Sequence, residues 1–122
     1  MVACLALGFV VPASAHDVKY RSEVVIDYGN GLPECSPSSC FNGVVSSPKA
    51  ACVPHRRVKV FSPDPGPDTF VGRDRTDADG IWVFVDDDAH GPYYAKVRRR
   101  NIGPAGHHHI CKRAKSSTIT IP

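Results

Sequence analysis

Hydrophobic and polar residues alternate with a period of two along much of the chain. Residues 57–62 set Val58 and Val60 on one face against Lys59 and Phe61 on the other. Residues 92–99 set Tyr93, Ala95 and Val97 against Tyr94, Lys96 and Arg98, and residues 116–121 alternate Ile119 and Ile121 with Thr118 and Thr120. A period of two belongs to a strand with one buried face. Segments 23–28, 41–46, 69–75 and 80–85 also read as strands, the last with Trp82 and Phe84 on one face. Turn residues separate them: Gly29-Asn30-Gly31, Ser47-Pro48, and the proline-rich run from 63 to 68. Seven short strands without a helix-length period predict an all-β fold, a single seven-stranded antiparallel sandwich over residues 23–122. Residues 16–22 read as a mobile lead-in.

Composition agrees with the pattern. After residue 15 the chain holds 12 Val, 6 Ile and 4 Thr, but a single leucine, Leu32, and no Met or Gln. β-branched residues favour strands, and the unbranched helix formers are nearly missing. The remaining 107 residues can bury one core and not two.

The start of the chain reads differently. Residues 2–11 are apolar, and Ala13-Ser14-Ala15 fits the small-x-small cleavage pattern, so residues 1–15 are expected to be a signal peptide and His16 the first residue of a secreted product. No basic residue precedes the run; a start placed too late accounts for that, and a buried strand is the other reading. Ten apolar residues are too few to span a bilayer, and no longer run follows.

Export would remove Cys4 and leave Cys35, Cys40, Cys52 and Cys111, an even number for an oxidising compartment. Three connectivities exist for four cysteines. Cys35 and Cys40 share one polar loop and can close a small ring, which leaves Cys52 with Cys111. A four-cysteine zinc site needs two paired knuckles, and Cys52 and Cys111 do not form one.

From Phe41 onward the residues carry a resemblance. Phe41-Asn42-Gly43-Val44-Val45, Arg57-Val58-Lys59-Val60-Phe61, the Thr76-Asp77-Ala78-Asp79-Gly80-Ile81-Trp82 run and Gly91-Pro92-Tyr93-Tyr94 resemble successive strands of transthyretin-like (prealbumin-like) modules of the carboxypeptidase-regulatory type. The resemblance implies a Greek-key sandwich in an accessory, structural or adhesive role and no enzymatic activity. The hairpin has its own physics: Asp77 can accept from backbone N–H groups two residues on, and Gly80 can take a positive φ. A calcium loop is the competing reading of Asp77, Asp79 and Asp86, but Arg75 would occupy the first ligand position, where a carboxylate must sit.

Catalytic chemistry has one weak candidate. His107-His108-His109 would place His107 and His109 on one side of a strand, and with Tyr93 or Tyr94 they resemble the two-tyrosine, His-x-His iron site of intradiol dioxygenases. A solvated His-rich loop is the simpler reading, and no metal or other cofactor is expected. The chain ends in Ile121-Pro122 and lacks the Tyr-Arg-Gly-Ser tail of hydroxyisourate hydrolases, which share the fold. No Gly-x-Ser-x-Gly elbow occurs.

Charge adds a binding candidate. The net charge is +3, and the runs Arg98-Arg99-Arg100 and Lys112-Arg113-Lys115 flank the histidines. With the last strands adjacent, these residues and Tyr94 would gather into a patch for acidic glycans or another anionic partner outside the cell. A solvated edge whose cations discourage aggregation is the simpler account of the charges. Nucleic acid is not expected, because only Tyr94 offers a stacking platform.

Overall fold

The computed structural model describes residues 17–104 and 106–122, so the signal peptide expected at residues 1–15 and Cys4 lie outside the described residues. The fold is all-β, with two short 3-10 turns and no α-helix among the described residues. Two sheets share one core. The first has the order β11-β8-β5-β6, from Ala114–Lys115 (β11), Gly91–Val97 (β8), Arg57–Ser62 (β5) and Thr69–Arg75 (β6), with Ile119–Ile121 (β12) also on β8. In the second, Glu23–Val24 (β2) and Asp27–Gly29 (β3) pair one edge of Cys40–Ser46 (β4), and Ile81–Val85 (β7) pairs the other.

The period-two pattern explains which faces meet. Val58, Val60, Ala95 and Val97 point inward from the first sheet, against Val24, Ile26, Phe41, Val45 and Trp82 from the second. Trp82 and Phe41 are fully buried. Each such side chain contributes about 1.5–3 kcal/mol relative to exposure.

Segments 57–62 and 69–75 form strands with the expected bounds; others differ for local reasons. The strand expected at 23–28 is split into β2 and β3, which keep one register: Val24 lies opposite Val45 and Asp27 opposite Asn42. The break sits where the Val25 carbonyl presses over Gly43, at a position that a Cβ on Gly43 would occupy. The strand expected at 116–121 is likewise interrupted. Ser116 Oγ accepts from Ala95 N–H at 2.8 Å while its own N–H donates to the Ala95 carbonyl, so a side chain replaces one rung between β11 and β12.

Three strands were not legible as such. Val18–Tyr20 (β1), within the expected lead-in, runs parallel to His109–Cys111 (β10), and Arg100–Asn101 (β9) pairs β10 on its other side. Backbone pairing thus anchors residues 18–20, with Lys112 N–H reaching the Tyr20 carbonyl at 2.8 Å.

Disulfides join Cys35 to Cys40 and Cys52 to Cys111, each with a Cα–Cα distance of 5.4 Å. Cys35 and Cys52 each end a 3-10 turn, Pro33–Cys35 and Ala50–Cys52. The second bridge therefore ties the lead into β5 to the end of β10.

The hairpin expected around Gly80 is instead a tight turn between sheets. β6 pairs β5 and β7 pairs β4, so residues 76–80 carry the chain from the first sheet to the second, with the turn chemistry expected of them. Asp77 Oδ1 accepts from Asp79 N–H at 2.9 Å and Ile81 N–H at 3.0 Å, and Gly80 has φ +83°. Thr76 is buried: its hydroxyl accepts from Arg56 N–H at 2.8 Å and donates to the Val53 carbonyl at 2.7 Å. Asp77→Ala removes an acceptor of two backbone bonds and is expected to cost about 1–2 kcal/mol, read as a lower urea midpoint with an unchanged slope. A change below a few tenths of that would show that the turn holds without its carboxylate.

Candidate functional site

The outward face of the first sheet is the chemical opposite of its inward face. On β5 the outward residues are Arg57, Lys59 and Phe61, because Val58 and Val60 fill the core. Strand register then decides what stands beside them. Lys59 lies directly opposite Lys96 on β8 and Arg73 on β6, and Lys96 lies opposite Lys115 on β11. Four cations thus form one row across four adjacent strands. Arg57 lies opposite Arg75, and Arg98 N–H donates to the Arg57 carbonyl at 2.9 Å, which brings a second cationic group of residues alongside. Phe61 lies opposite Tyr94 and Phe70, giving an aromatic row on the other side.

Like charges directly opposite on a sheet destabilise it. Part of that cost is offset by the neighbouring rings. Lys115 Nζ sits 4.1 Å from the Tyr94 centroid, and Lys96 Nζ sits 5.2 Å from that of Phe61 and 5.7 Å from that of Tyr94. Lys59 Nζ lies 5.8 Å from Phe70. Such contacts hold an ammonium over a ring face while its other side stays in water.

Around Lys59, Lys96 and Lys115 of this row opens a groove of about 990 Å³, walled by Lys19 of β1 and Ile110 of β10, while Arg73 lies in a separate recess with Arg57, Asp74 and Arg75. Nine of the groove's lining residues are Lys or Arg, and none is Asp or Glu. Both basic runs contribute to it, through Arg98 and Arg99 and through Lys112, Arg113 and Lys115. The adjacency of the last strands brings them together, as the patch requires.

Two expected members stand elsewhere. The Arg100 guanidinium turns to the Pro54 and His55 carbonyls, at 3.2 and 3.0 Å, because the chain has left the first sheet at β9, which pairs β10 instead. Tyr94 is covered rather than presented: it is 1% exposed, and its hydroxyl donates to the Asp68 carboxylate. That hydrogen bond, then burial and the Asp68 charge, push the phenol up to about 12. The exposed aromatic of the row is Phe70, 51% exposed, in an edge-type arrangement with Phe61 at a centroid distance of 5.9 Å.

The histidine and tyrosine candidates do not converge. Tyr93 packs on Phe41 at 4.9 Å, and its hydroxyl accepts from His90 N–H. His109 lies beside Tyr20, its Nδ1 3.5 Å from the phenolic oxygen, while His107 is exposed in the loop before β10. Among the described residues no three His, Cys, Asp or Glu side chains group as a metal site would require.

A buried cation supports the groove from below. Arg56 is 0% exposed and faces no carboxylate in its hydrogen bonds. Its Nη1 donates to Ser22 Oγ at 2.9 Å and the Cys52 carbonyl at 2.7 Å; its Nη2 donates to the carbonyls of Arg98 at 2.9 Å and Lys112 at 3.0 Å. Burial, then the charge of Arg100, lower its pKa from the usual guanidinium value. One side chain thus joins the backbones of the two basic runs. Its signal was in the sequence: the alternation of Val58 and Val60 continues inward to Arg56.

Compared with protein-family models, curated proteins and solved structures, the chain finds no match. No helix among the described residues is long and apolar enough to cross a membrane.

Proposed function

We propose that this chain is a secreted, non-enzymatic binding module, a seven-stranded Greek-key sandwich of transthyretin-like type, whose ligand is a polyanion. The observation that carries the reading is the row Lys115, Lys96, Lys59 and Arg73, four cations in direct cross-strand register beside a groove lined without a carboxylate. A fold pays for such a row in stability, and an anionic ligand turns the same repulsion into affinity. Two disulfides are compatible with an oxidising compartment, and the Asp77 turn with the family's sequence pattern.

The test is retention on heparin resin. The protein is expected to bind at low salt and elute as NaCl rises, because the contacts are ionic and counterions are released on binding. Lys96→Glu, at the centre of the row, is expected to elute at markedly lower salt. Arg21→Ala, which lies outside the groove, should elute with the parent. Flow-through of the parent at low salt, or equal losses in both variants, would remove the reading.

A further inference from the structure

We infer that the polyanion is a linear acidic polysaccharide, lying across the strands with one sugar ring packed on Phe70. This rests on the polyanion reading above and adds the ligand's chemistry, direction and contact residues.

Direction follows from register. The cation row runs perpendicular to the strands, so its four residues span three inter-strand steps, about 14 Å in all. A ligand that pairs with all four must carry several anionic groups within that length along one line. The aromatic row is parallel to it, two residues further along β5, about 7 Å away. Lys59 and Phe61 are those two residues, and Phe70 stands opposite Phe61. The ligand must therefore offer an apolar face close to its charges. A pyranose bearing sulfate or carboxylate does so: its ring C–H face packs on an aromatic ring while the substituent reaches sideways to an ammonium.

Other polyanions fit less well. Single-stranded nucleic acid needs successive free ring faces. Here Lys96 lies over both Phe61 and Tyr94, and Lys115 over Tyr94, which leaves Phe70, 51% exposed with Lys59 Nζ 5.8 Å from its centroid, as the accessible ring of the row. A lipid bilayer is flat on this scale, whereas Lys59, Lys96 and Lys115 line a groove walled by Lys19 and Ile110. A flexible chain enters a groove; a membrane surface bridges over it.

The experiment titrates the whole protein with size-graded sulfated and uronate oligosaccharides at several NaCl concentrations. Affinity is expected to climb with length until the chain spans about 14 Å, then to level. The Lys59→Ala/Lys96→Ala pair should weaken binding at least about tenfold and flatten the salt dependence by about two ions. Phe70→Ala should weaken binding about three- to tenfold with the salt dependence unchanged, and Phe70→Trp should restore it. Phe70 is exposed, so its loss leaves the core intact.

Binding that follows charge alone, untouched by Phe70→Ala or by length, overturns this inference and leaves the polyanion reading standing. So does equal affinity for single-stranded DNA of matched charge or for vesicles rich in phosphatidylserine. Failure to bind every one of these probes at low salt overturns both.

Discussion

Replacing Arg56 with Met is expected to remove about 4 kcal/mol of stability. Met fills most of the space but donates no hydrogen bond. Four oxygens lose their partner together: Ser22 Oγ and the carbonyls of Cys52, Arg98 and Lys112. A buried acceptor left unsatisfied costs about 1–3 kcal/mol, and water entering the vacated site recovers part of the sum. A domain of this size holds about 5–15 kcal/mol in total, so the variant should be visibly less stable, and measurable by urea unfolding. Arg56→Lys keeps the charge but not the planar fork, and is expected to lose about half as much. The guanidinium Nε finds no acceptor among the described residues, so the site is already imperfect. A loss below about 1 kcal/mol for Arg56→Met would show that the charge costs as much to bury as its bonds return.

Removing the Cys52–Cys111 bridge as a serine pair is expected to cost about 4 kcal/mol, against about 2 kcal/mol for Cys35–Cys40. The difference lies in the chain each closes, 59 residues of separation against 5. A long cross-link withdraws more freedom from the unfolded chain. Denaturation of the two double variants side by side gives the ranking, and equal losses would contradict it. The longer bridge should also couple to Arg56. The guanidinium bonds the carbonyl of Cys52 itself and that of Lys112, next to Cys111. Residues sharing partners are not additive. The triple variant should therefore lose less than the separate losses combined, since either cut frees the same segment.

Period and turn chemistry made most of the frame legible, because each strand's inward face is written locally. Val58 and Val60 declare their side without reference to any other strand, as do Ala95 and Val97. The Asp77 and Gly80 turn was equally local, but that its two flanking strands join different sheets was not. Pairing is a different matter. β1, β9 and β10 are two or three residues long, too short for alternation to register, and β1 finds its partner some 90 positions away in sequence. The gaps inside the first and last expected strands came from a carbonyl over Gly43 and a hydroxyl at Ser116, contacts between elements that a single strand's pattern does not contain.

The binding face shows the same division. The basic runs at 98–100 and 112–115 are visible as runs. Lys59 and Arg73, which complete the row, are ordinary strand residues until register sets them opposite Lys96 and each other. Tyr94 looked like a contact because its neighbours alternate outward, yet the Asp68 segment and two lysines cover it. Arg100 followed two patch residues in sequence, but the chain turns before it. In each case three-dimensional neighbours, absent from the local pattern, decided the role.

The clamp at Arg56 has a consequence for the conditions this fold tolerates. Cores closed by a buried ion pair loosen when acid protonates the carboxylate. Here the guanidinium is met by peptide carbonyls and a serine hydroxyl, none of which gains a proton in ordinary acid. Its lowered pKa also works in the alkaline direction, far from that range, so the cation keeps its charge as pH falls. The joint between the two basic segments is accordingly indifferent to acidification, whereas an acidic medium neutralises the carboxylates of whatever lies in the groove.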